Sequence, residues 1–222
     1  MRLLLDRIRQ SPIAARVAPF ALFVLLTAGQ GWFGEASWYW MYCVKTAFGA
    51  WMIWAVRPVV SEMRWNVSWE AVAVGVGVFL FWVGLDPWYP RFMPASRLWN
   101  PHAQFGPDTI LASAVIAVRI LGSTLVVPPL EEVFFRSFVY RYLARPDFQS
   151  VPFRQFRWMP FLVTSIIFGV NHREWLAGIL CGFAYQGLVI WKNRLGDAIT
   201  AHAITNLLLG LWVVWRGAWH FW

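Results

Sequence analysis

The stretch that decides the fold lies near the middle of the chain and reads Val127-Pro128-Pro129-Leu130-Glu131-Glu132-Val133-Phe134-Phe135-Arg136. Two adjacent carboxylates and a guanidinium interrupt an otherwise apolar run. An ionised side chain at bilayer depth costs roughly 2.5–3.5 kcal/mol on insertion scales, so such residues are usually paired and functional. On a helix, Glu132 and Arg136 are four residues apart and share a face, which favours an ion pair. Glu131 points about 100° away from Glu132 and is therefore predicted to be free of that pair.

The composition around this stretch is that of a membrane protein. Hydrophobic residues make up 59% of the 222 residues and charged residues only 14%, whereas a soluble domain carries roughly 25% charged residues. Several apolar runs of about 15–20 residues predict an all-α, polytopic transmembrane helix bundle with about eight membrane helices. The 17 Trp residues fit this class, because Trp concentrates at bilayer interfaces.

The charge balance indicates what the chain contacts. A net charge of +8 in such a protein points to topology signals and anionic lipid headgroups. The basic residues are scattered and form no nucleic-acid-reading motif, so nucleic-acid binding is excluded. Nearly all of them are Arg, which is typical of a GC-rich bacterial genome. The expected location is the inner (cytoplasmic) membrane of a bacterium, as a multi-pass integral protein.

The apolar runs predict eight spans in a single bundle, with the first span retained. The proline-rich segment 86–107 reads as an interfacial loop with aromatic anchors, because its five prolines exclude a continuous helix. Residues 1–107 would then hold N-terminal membrane helices and this loop. The predicted spans cover residues 17–28, 38–60, 67–85, 108–127, 128–144, 158–172, 175–191 and 197–215.

Some features of these spans carry structural expectations. Pro128 and Pro129 mark a break between the fourth and fifth spans, or the first turn of the fifth. Arg119 in the middle of the fourth span is expected to face the bundle interior and find a partner. The candidates are the two glutamates of the central stretch and Glu70. In the seventh span, Gly178 and Gly182 have the small-xxx-small spacing that permits close helix contact.

The topology of eight alternating spans is internally inconsistent. The basic N-terminal segment favours an inside N-terminus. Lys and Arg would then divide about evenly between the two sides, with the arginines of residues 141–157 outside. Either one span is re-entrant, or two of the predicted spans are one broken helix.

Two further polar pairs occur in the second half of the chain. Phe168 and His172 are four residues apart at the end of the sixth span, and His202 and Asn206 are four apart in the eighth. His202 and Asn206 share a helix face, so both can reach one ligand atom. Read singly, a membrane His is a hydrogen-bonded structural residue and a membrane Asn joins helices.

Read together, the motifs resemble a known family. The patterns Glu131-Glu132-x-x-x-Arg136, Phe168-x-x-x-His172 and His202-x-x-x-Asn206 are similar to the three ordered motifs of the CPBP family, which contains Rce1-like CAAX prenyl endopeptidases and bacterial Abi-type membrane proteins. The resemblance covers about residues 108–216 and implies that they form a CPBP/Abi-like protease core. It implies an intramembrane endopeptidase that acts on a membrane-associated protein. For part of the family, that substrate is a prenylated CaaX-like protein.

The resemblance also implies roles for the motif residues. Glu131 would be the general base, and His172 would help to orient the water. His202 and Asn206 would stabilise the tetrahedral oxyanion. Glu132, Arg136 and Phe168 would support these four. Such chemistry is sensible, because peptide hydrolysis without Ser or Cys needs a base near water and donors where negative charge develops. No cofactor is expected.

Two other function classes remain open from the sequence. Glu131, His172 and His202 could hold zinc through oxygen and nitrogen ligands, although a His-Glu-x-x-His core is lacking and Asn is a poor zinc ligand. Alternatively, the chain is a non-catalytic membrane scaffold or immunity protein that keeps the family's polar core. Some bacterial members resemble components of exosortase-type protein-sorting systems, so association with such a system is a further expectation.

Overall fold

The computed structural model describes residues 2–88 and 98–222, and over these residues the secondary structure is helical, without strands. This confirms the predicted all-α fold class. The chain also contains two one-turn helices, Phe148–Ser150 and Trp219–Phe221. The main helices are α1 (Arg2–Gln10), α2 (Pro12–Ala28), α3 (Ser37–Val56), α4 (Trp69–Leu85), α5 (Pro101–Phe105), α6 (Ile110–Ala144), α7 (Trp158–Val170), α8 (Trp175–Lys192) and α9 (Gly196–Arg216).

The helices have the lengths and composition of a membrane bundle. Among the described residues, α6, α8 and α9 are long and apolar enough to cross a bilayer, and α2, α4 and α7 are shorter apolar helices. The protein is therefore an integral membrane protein. The predicted proline-rich loop at 86–107 contains the short helix α5, and part of it, residues 89–97, lies outside the described residues.

Helix α6 corrects the predicted boundary at Pro128 and Pro129. The spans expected at 108–127 and 128–144 are one continuous helix. A proline inside a helix lacks an N–H donor, and its ring clashes with the carbonyl four residues earlier. Here the backbone widens into a π-helical segment, Gly122–Val126, directly before the prolines, and into a second one, Val133–Val139, after the glutamates. This widening accommodates the prolines, so the helix continues.

Because α6 is continuous, each loop can be assigned to one of the two ends of the bundle. At one end, the loop before α4 meets the start of α9, since the Asn66 N–H donates to the Gly196 carbonyl at 3.4 Å. Lys192, at the end of α8, pairs there with Glu70 at 2.8 Å. We call this the basic end, because it carries most of the cationic side chains. They are Arg7, Arg9, Arg16, Arg57, Arg64, Arg141, Arg145, Arg154, Arg157, Lys192 and Arg194.

The opposite end is aromatic. The Trp99 indole N–H donates to the Trp38 carbonyl at 3.2 Å, and the Trp99 and Trp222 rings pack edge to face. His220 contacts the Asp86 carboxylate at 3.1 Å. We call this the aromatic end. The predicted even division of Lys and Arg between the two sides is therefore wrong, because it counted the two halves of α6 as separate crossings.

A buried ion pair ties three segments together at the basic end. The Arg16 guanidinium donates twice to the Glu62 carboxylate, at 2.7 and 3.0 Å, and Ser137 of α6 donates to the same carboxylate. Burial raises the pKa of Glu62, but the hydrogen bonds from Arg16 and Ser137 outweigh burial and hold it below its ordinary value of 4.5.

This depressed pKa predicts acid sensitivity. Because the folded-state pKa of Glu62 is lower than the unfolded one, its stabilising contribution is present above about pH 4.5 and lost as the pH falls through the folded value. We expect the thermal midpoint of the detergent-solubilised protein to fall below pH 4.5. Glu62→Gln should be less stable at pH 7 and show a smaller acid-induced drop. An equal drop in both proteins would contradict this role.

Helices α7 and α8 pack at the distance that their glycines allow. A Cβ atom added to Gly178 would lie 2.9 Å from the Gly169 Cα, and one added to Gly182 would lie 2.9 Å from the Ser165 Cα. Both neighbours are backbone atoms that cannot turn away. The structure thus confirms the close contact predicted from the small-xxx-small spacing.

Two matched substitutions test this contact. Gly178→Ala should destabilise the protein by about 1–3 kcal/mol, because the helices must move apart. Gly187→Ala lies on the same helix, where an added Cβ meets nothing within 4 Å, and should leave stability unchanged or slightly increased, because Ala favours a helix over Gly. Thermal unfolding in detergent measures both. Equal effects at the two positions would show that the helices are not packed this closely.

Candidate active site

The two adjacent glutamates lie in α6 between its two π-helical segments and face different partners. Glu132 is completely buried, and its carboxylate lies 3.3 Å from Arg136 Nε and 3.0 Å from His202 Nδ1. The ion pair with Arg136 was expected from the spacing. The contact with His202 joins α6 to α9 and was not expected. Glu132 therefore links the first motif directly to the third.

Arg136 is enclosed by Glu132 and by aromatic rings. Its side chain is 1% exposed, and its guanidinium lies 4.1 Å from the centre of the Phe168 ring. The 3.3 Å contact with Glu132 is an ion pair without hydrogen-bond alignment, and the guanidinium has no hydrogen-bond partner within the described part of the chain. Because a buried guanidinium needs compensation, the carboxylate and the Phe168 face both stabilise it.

Glu131 turns away from this pair, as the helix geometry predicted. Its side chain is 16% exposed, lines an internal cavity, and has one oxygen 4.0 Å from His202 Nε2. That oxygen has no hydrogen-bond partner among the residues described. A carboxylate in this position can accept a proton from a molecule in the cavity.

His172 follows the end of α7 and also lines the cavity. Its Nδ1 lies 2.9 Å from the Phe168 carbonyl, an oxygen that can only accept, so Nδ1 carries the proton and a neutral ring leaves Nε2 as an acceptor. The Trp82 indole packs edge-on against it. Burial lowers the pKa of His172 below its ordinary value of 6.5, and the nearby Glu131 carboxylate opposes this shift. The ring is therefore neutral at pH 7.

His202 is fixed by groups on both sides. Its Nδ1 donates to the Glu132 carboxylate, which sets the tautomer and leaves Nε2 facing Glu131. The Tyr185 ring of α8 stacks on the imidazole at a centroid distance of 5.1 Å, and the Tyr185 hydroxyl donates to Thr205 at 2.7 Å. Sequence reasoning missed Tyr185. The only available signal was a polar aromatic residue in an otherwise apolar helix.

Asn206 lies one turn beyond His202 and reaches α6. Its amide nitrogen donates to the Ser123 carbonyl at 2.8 Å. Ser123 belongs to the first π-helical segment, where the widened backbone frees carbonyl groups from intrahelical bonding. One amide N–H is anchored in this way, and the other is available to the cavity that Asn206 lines.

One cavity of about 560 Å³ brings the four candidate residues together. Glu131, His172, His202 and Asn206 all line it. From there it extends to the aromatic end, where its wall includes Trp38, Leu98, Trp99, Arg173, Phe221 and Trp222. No residue of the basic-end loops contributes to the described wall.

Arg119 lines the same cavity, with partners other than those predicted. A carboxylate was expected, yet none of the described acidic residues lies within ion-pair distance of it. Its guanidinium instead lies 4.8 Å from the Tyr42 ring centre, 4.4 Å from that of Trp99 and 5.2 Å from that of Trp222. The reason is geometric: α6 is continuous, so Arg119 lies three turns from Glu131, near the aromatic end.

The positions of Glu131, His172 and His202 are relevant to the alternative that these residues bind zinc. Within residues 2–88 and 98–222, no three His, Cys, Asp or Glu side chains converge as a metal-ligand group. Glu132 occupies His202 Nδ1, and the Phe168 carbonyl occupies His172 Nδ1. Both rings keep Nε2 free of these contacts, an arrangement that zinc-ligating histidines also show, so chelation and not this geometry decides between the two alternatives.

Comparison with known proteins gives one match. Residues 113–208 match the family model described as type II CAAX prenyl endopeptidase Rce1-like. No protein with a curated function and no solved structure matches the chain. The matched segment contains Glu131, His172, His202 and Asn206 and begins inside α6. Over residues 113–208, the protein is thus similar to the Rce1-like family of type II CAAX prenyl endopeptidases.

Proposed function

We propose that the protein is an intramembrane endopeptidase in which Glu131 activates water to hydrolyse a peptide bond of a membrane-associated protein. The family match over residues 113–208 supports protease chemistry. The observation that carries the proposal is the position of Glu131. Its carboxylate pairs with no Lys or Arg side chain among the described residues, lines the cavity, and lies 4.0 Å from His202 Nε2. That separation exceeds a direct hydrogen bond and suits one bridging water.

The proposed reaction uses each neighbouring group once. Glu131 takes a proton from water as the water oxygen bonds to the peptide carbonyl carbon. The neutral His172 accepts a hydrogen bond at Nε2 from the other O–H of the water. This hydrogen bond orients the water for attack. Glu131 then passes its proton to the leaving amine nitrogen as the carbon–nitrogen bond breaks.

Two donors act on the developing oxyanion. Asn206 offers its free amide N–H. His202 donates from Nε2 only as an imidazolium, because Glu132 already holds its Nδ1 proton. A preorganised donor of this kind contributes about 2.7–4 kcal/mol to transition-state stabilisation. Glu132 and Arg136 thereby support the third motif as well as the first.

Comparison of cleavage products tests the proposal. Membranes from cells that express the wild-type chain should contain new peptide N-termini in membrane-associated proteins. These should be absent with Glu131→Gln and with His202→Ala at equal protein levels. Identical sets of N-termini in the three strains would contradict the proposal and favour a non-catalytic scaffold or immunity role.

Cofactor, substrate and partners remain proposals within this framework. We propose that hydrolysis needs no metal, so cleavage should survive exhaustive chelation, whereas a zinc protease would be inactivated and recover with added zinc. The substrate class includes prenylated CaaX-like proteins, and the location proposed is a bacterial inner membrane. Association with a protein-sorting system is tested by the identity of the cleaved proteins.

A further inference from the structure

Two cationic side chains lie on the cavity wall without an acidic partner. Lys45 is 6% exposed, and its ammonium donates to Thr27 and Gln30, both at 3.0 Å. Among the described residues, the Arg119 guanidinium lies against aromatic rings and no carboxylate. All 11 Asp and Glu residues are described, and none of them forms an ion pair with either cation. An uncompensated charge away from water is costly, so this pair needs an explanation.

The two cations contact the same aromatic ring, that of Tyr42. Lys45 Nζ lies 4.7 Å and Arg119 Cζ 4.8 Å from the centre of the Tyr42 ring. Both line the cavity that holds Glu131, between the candidate catalytic groups and the aromatic end. A group bound between them is therefore part of whatever molecule enters the cavity.

We propose that Lys45 and Arg119 bind a carboxylate of the peptide substrate, either its C-terminal carboxylate or an acidic side chain. This rests on the proposed function for the identity of the ligand as a peptide. The guanidinium and ammonium donate charge-assisted hydrogen bonds to such a group, and Tyr42, Trp99 and Trp222 exclude water around it. A peptide is favoured over a lipid headgroup because the cations line the same cavity as Glu131.

Binding can be measured separately from hydrolysis in the inactive Glu131→Gln protein. The probes are acetyl-Ala-Leu-Leu-Ala with a free C-terminal carboxylate, the same peptide as its amide, and acetyl-Ala-Glu-Leu-Ala amide. Tryptophan fluorescence reports binding, because Trp38 and Trp99 line the cavity. We expect a carboxylate probe to bind about tenfold or more tightly than the uncharged amide. The two acidic probes distinguish a terminal from a side-chain carboxylate.

Variants connect that preference to the two cations. Lys45→Met with Arg119→Gln should abolish the preference, and Arg119→Lys should keep part of it. Arg216→Gln removes an exposed arginine at the same end and should change nothing. Equal binding of acid and amide, or a preference that survives the double variant, would overturn the proposal.

A response to phosphatidylglycerol but not phosphatidylcholine nanodiscs, without peptide preference, would show instead that Lys45 and Arg119 bind lipid. Peptide binding without cleavage by the active chain would instead count against the protease function.

The charge asymmetry of the bundle independently carries a second inference. The basic end holds 11 of the 19 Lys and Arg residues, whereas the described cations at the aromatic end are Arg173, Arg216 and, on the cavity wall, Arg119. Arg91 and Arg97 fall in the undescribed segment that joins Trp88 to Leu98. An excess of Lys and Arg in short loops marks the cytoplasmic side. We infer that the basic end is cytoplasmic and that the cavity, which extends to the aromatic end, receives its substrate from the non-cytoplasmic side.

Thiol labelling tests this orientation without any protease assay. Cys43 and Cys181 are first replaced by Ala, and single cysteines are introduced as Phe33→Cys at the aromatic end and Gln149→Cys at the basic end, both exposed positions. A membrane-impermeant maleimide should label Phe33→Cys in intact spheroplasts and Gln149→Cys only after lysis. The reverse pattern, or labelling of both before lysis, would overturn the orientation and leave the proposed hydrolysis untouched.

Discussion

Replacement of Glu131 by Gln is expected to abolish peptide hydrolysis while leaving the fold intact. The amide keeps the size of the side chain but cannot accept a proton from water, and loss of a general base lowers a rate by roughly 10²–10⁴-fold. Glu131 makes no close ion pair that folding requires, since its nearest cationic partner atom is His202 Nε2 at 4.0 Å. Quantified cleavage products, with thermal unfolding alongside, measure both effects.

A control substitution tests whether activity depends on Glu131 itself or on the loss of any carboxylate near this helix. Asp108→Asn removes an exposed carboxylate just before the same helix and should retain full activity. Cleavage by Glu131→Gln at more than about a tenth of the wild-type rate would show that another group activates the water.

Loss of Arg136 is expected to produce the largest change in stability. Arg136→Met leaves the fully buried Glu132 carboxylate without its cation, and breaking such a pair costs about 3–5 kcal/mol. Because Glu132 also holds His202, activity should fall with stability. The free energy of unfolding in detergent measures the effect, and Arg145→Met, an exposed site just beyond the same helix, should change it by less than about 0.5 kcal/mol.

The double variant Glu132→Gln with Arg136→Met separates pairing from simple loss of packing. If the two side chains stabilise each other, the double variant should be less destabilised than the sum of the single ones, with a coupling of about 0.5–3 kcal/mol. Additive effects would mean that the 3.3 Å approach of the two groups contributes nothing measurable.

Local spacing was enough to predict much of the candidate site. Residues four apart on a helix share a face, so the sequence predicted the Glu132 and Arg136 pair and separated Glu131 from it. The close packing at Gly178 followed from the same reasoning. The catalytic roles of Glu131, His172, His202 and Asn206 stay predictions, although the structure places all four on one cavity.

Other features depended on contacts that spacing does not encode. The helix α6 continues across Pro128 because the backbone widens just before it, and no residue pattern predicts this widening. The continuity of α6 in turn determines which loops lie at the same end of the bundle. The contact between Glu132 and His202 spans 70 residues. Arg119 found aromatic rings instead of a carboxylate, because its partners come from distant helices.

The most direct measurement of the central claim is cleavage by the purified chain in nanodiscs. The substrate is a peptide that spans one of the cleavage sites identified in membranes, and the assay contains an exhaustive chelator. If Glu131 activates the water, the wild-type chain yields the two expected fragments, and Glu131→Gln yields neither while unfolding at a similar temperature. Equal fragment yields from the two proteins, or wild-type activity only after zinc is restored, would contradict a glutamate-activated mechanism.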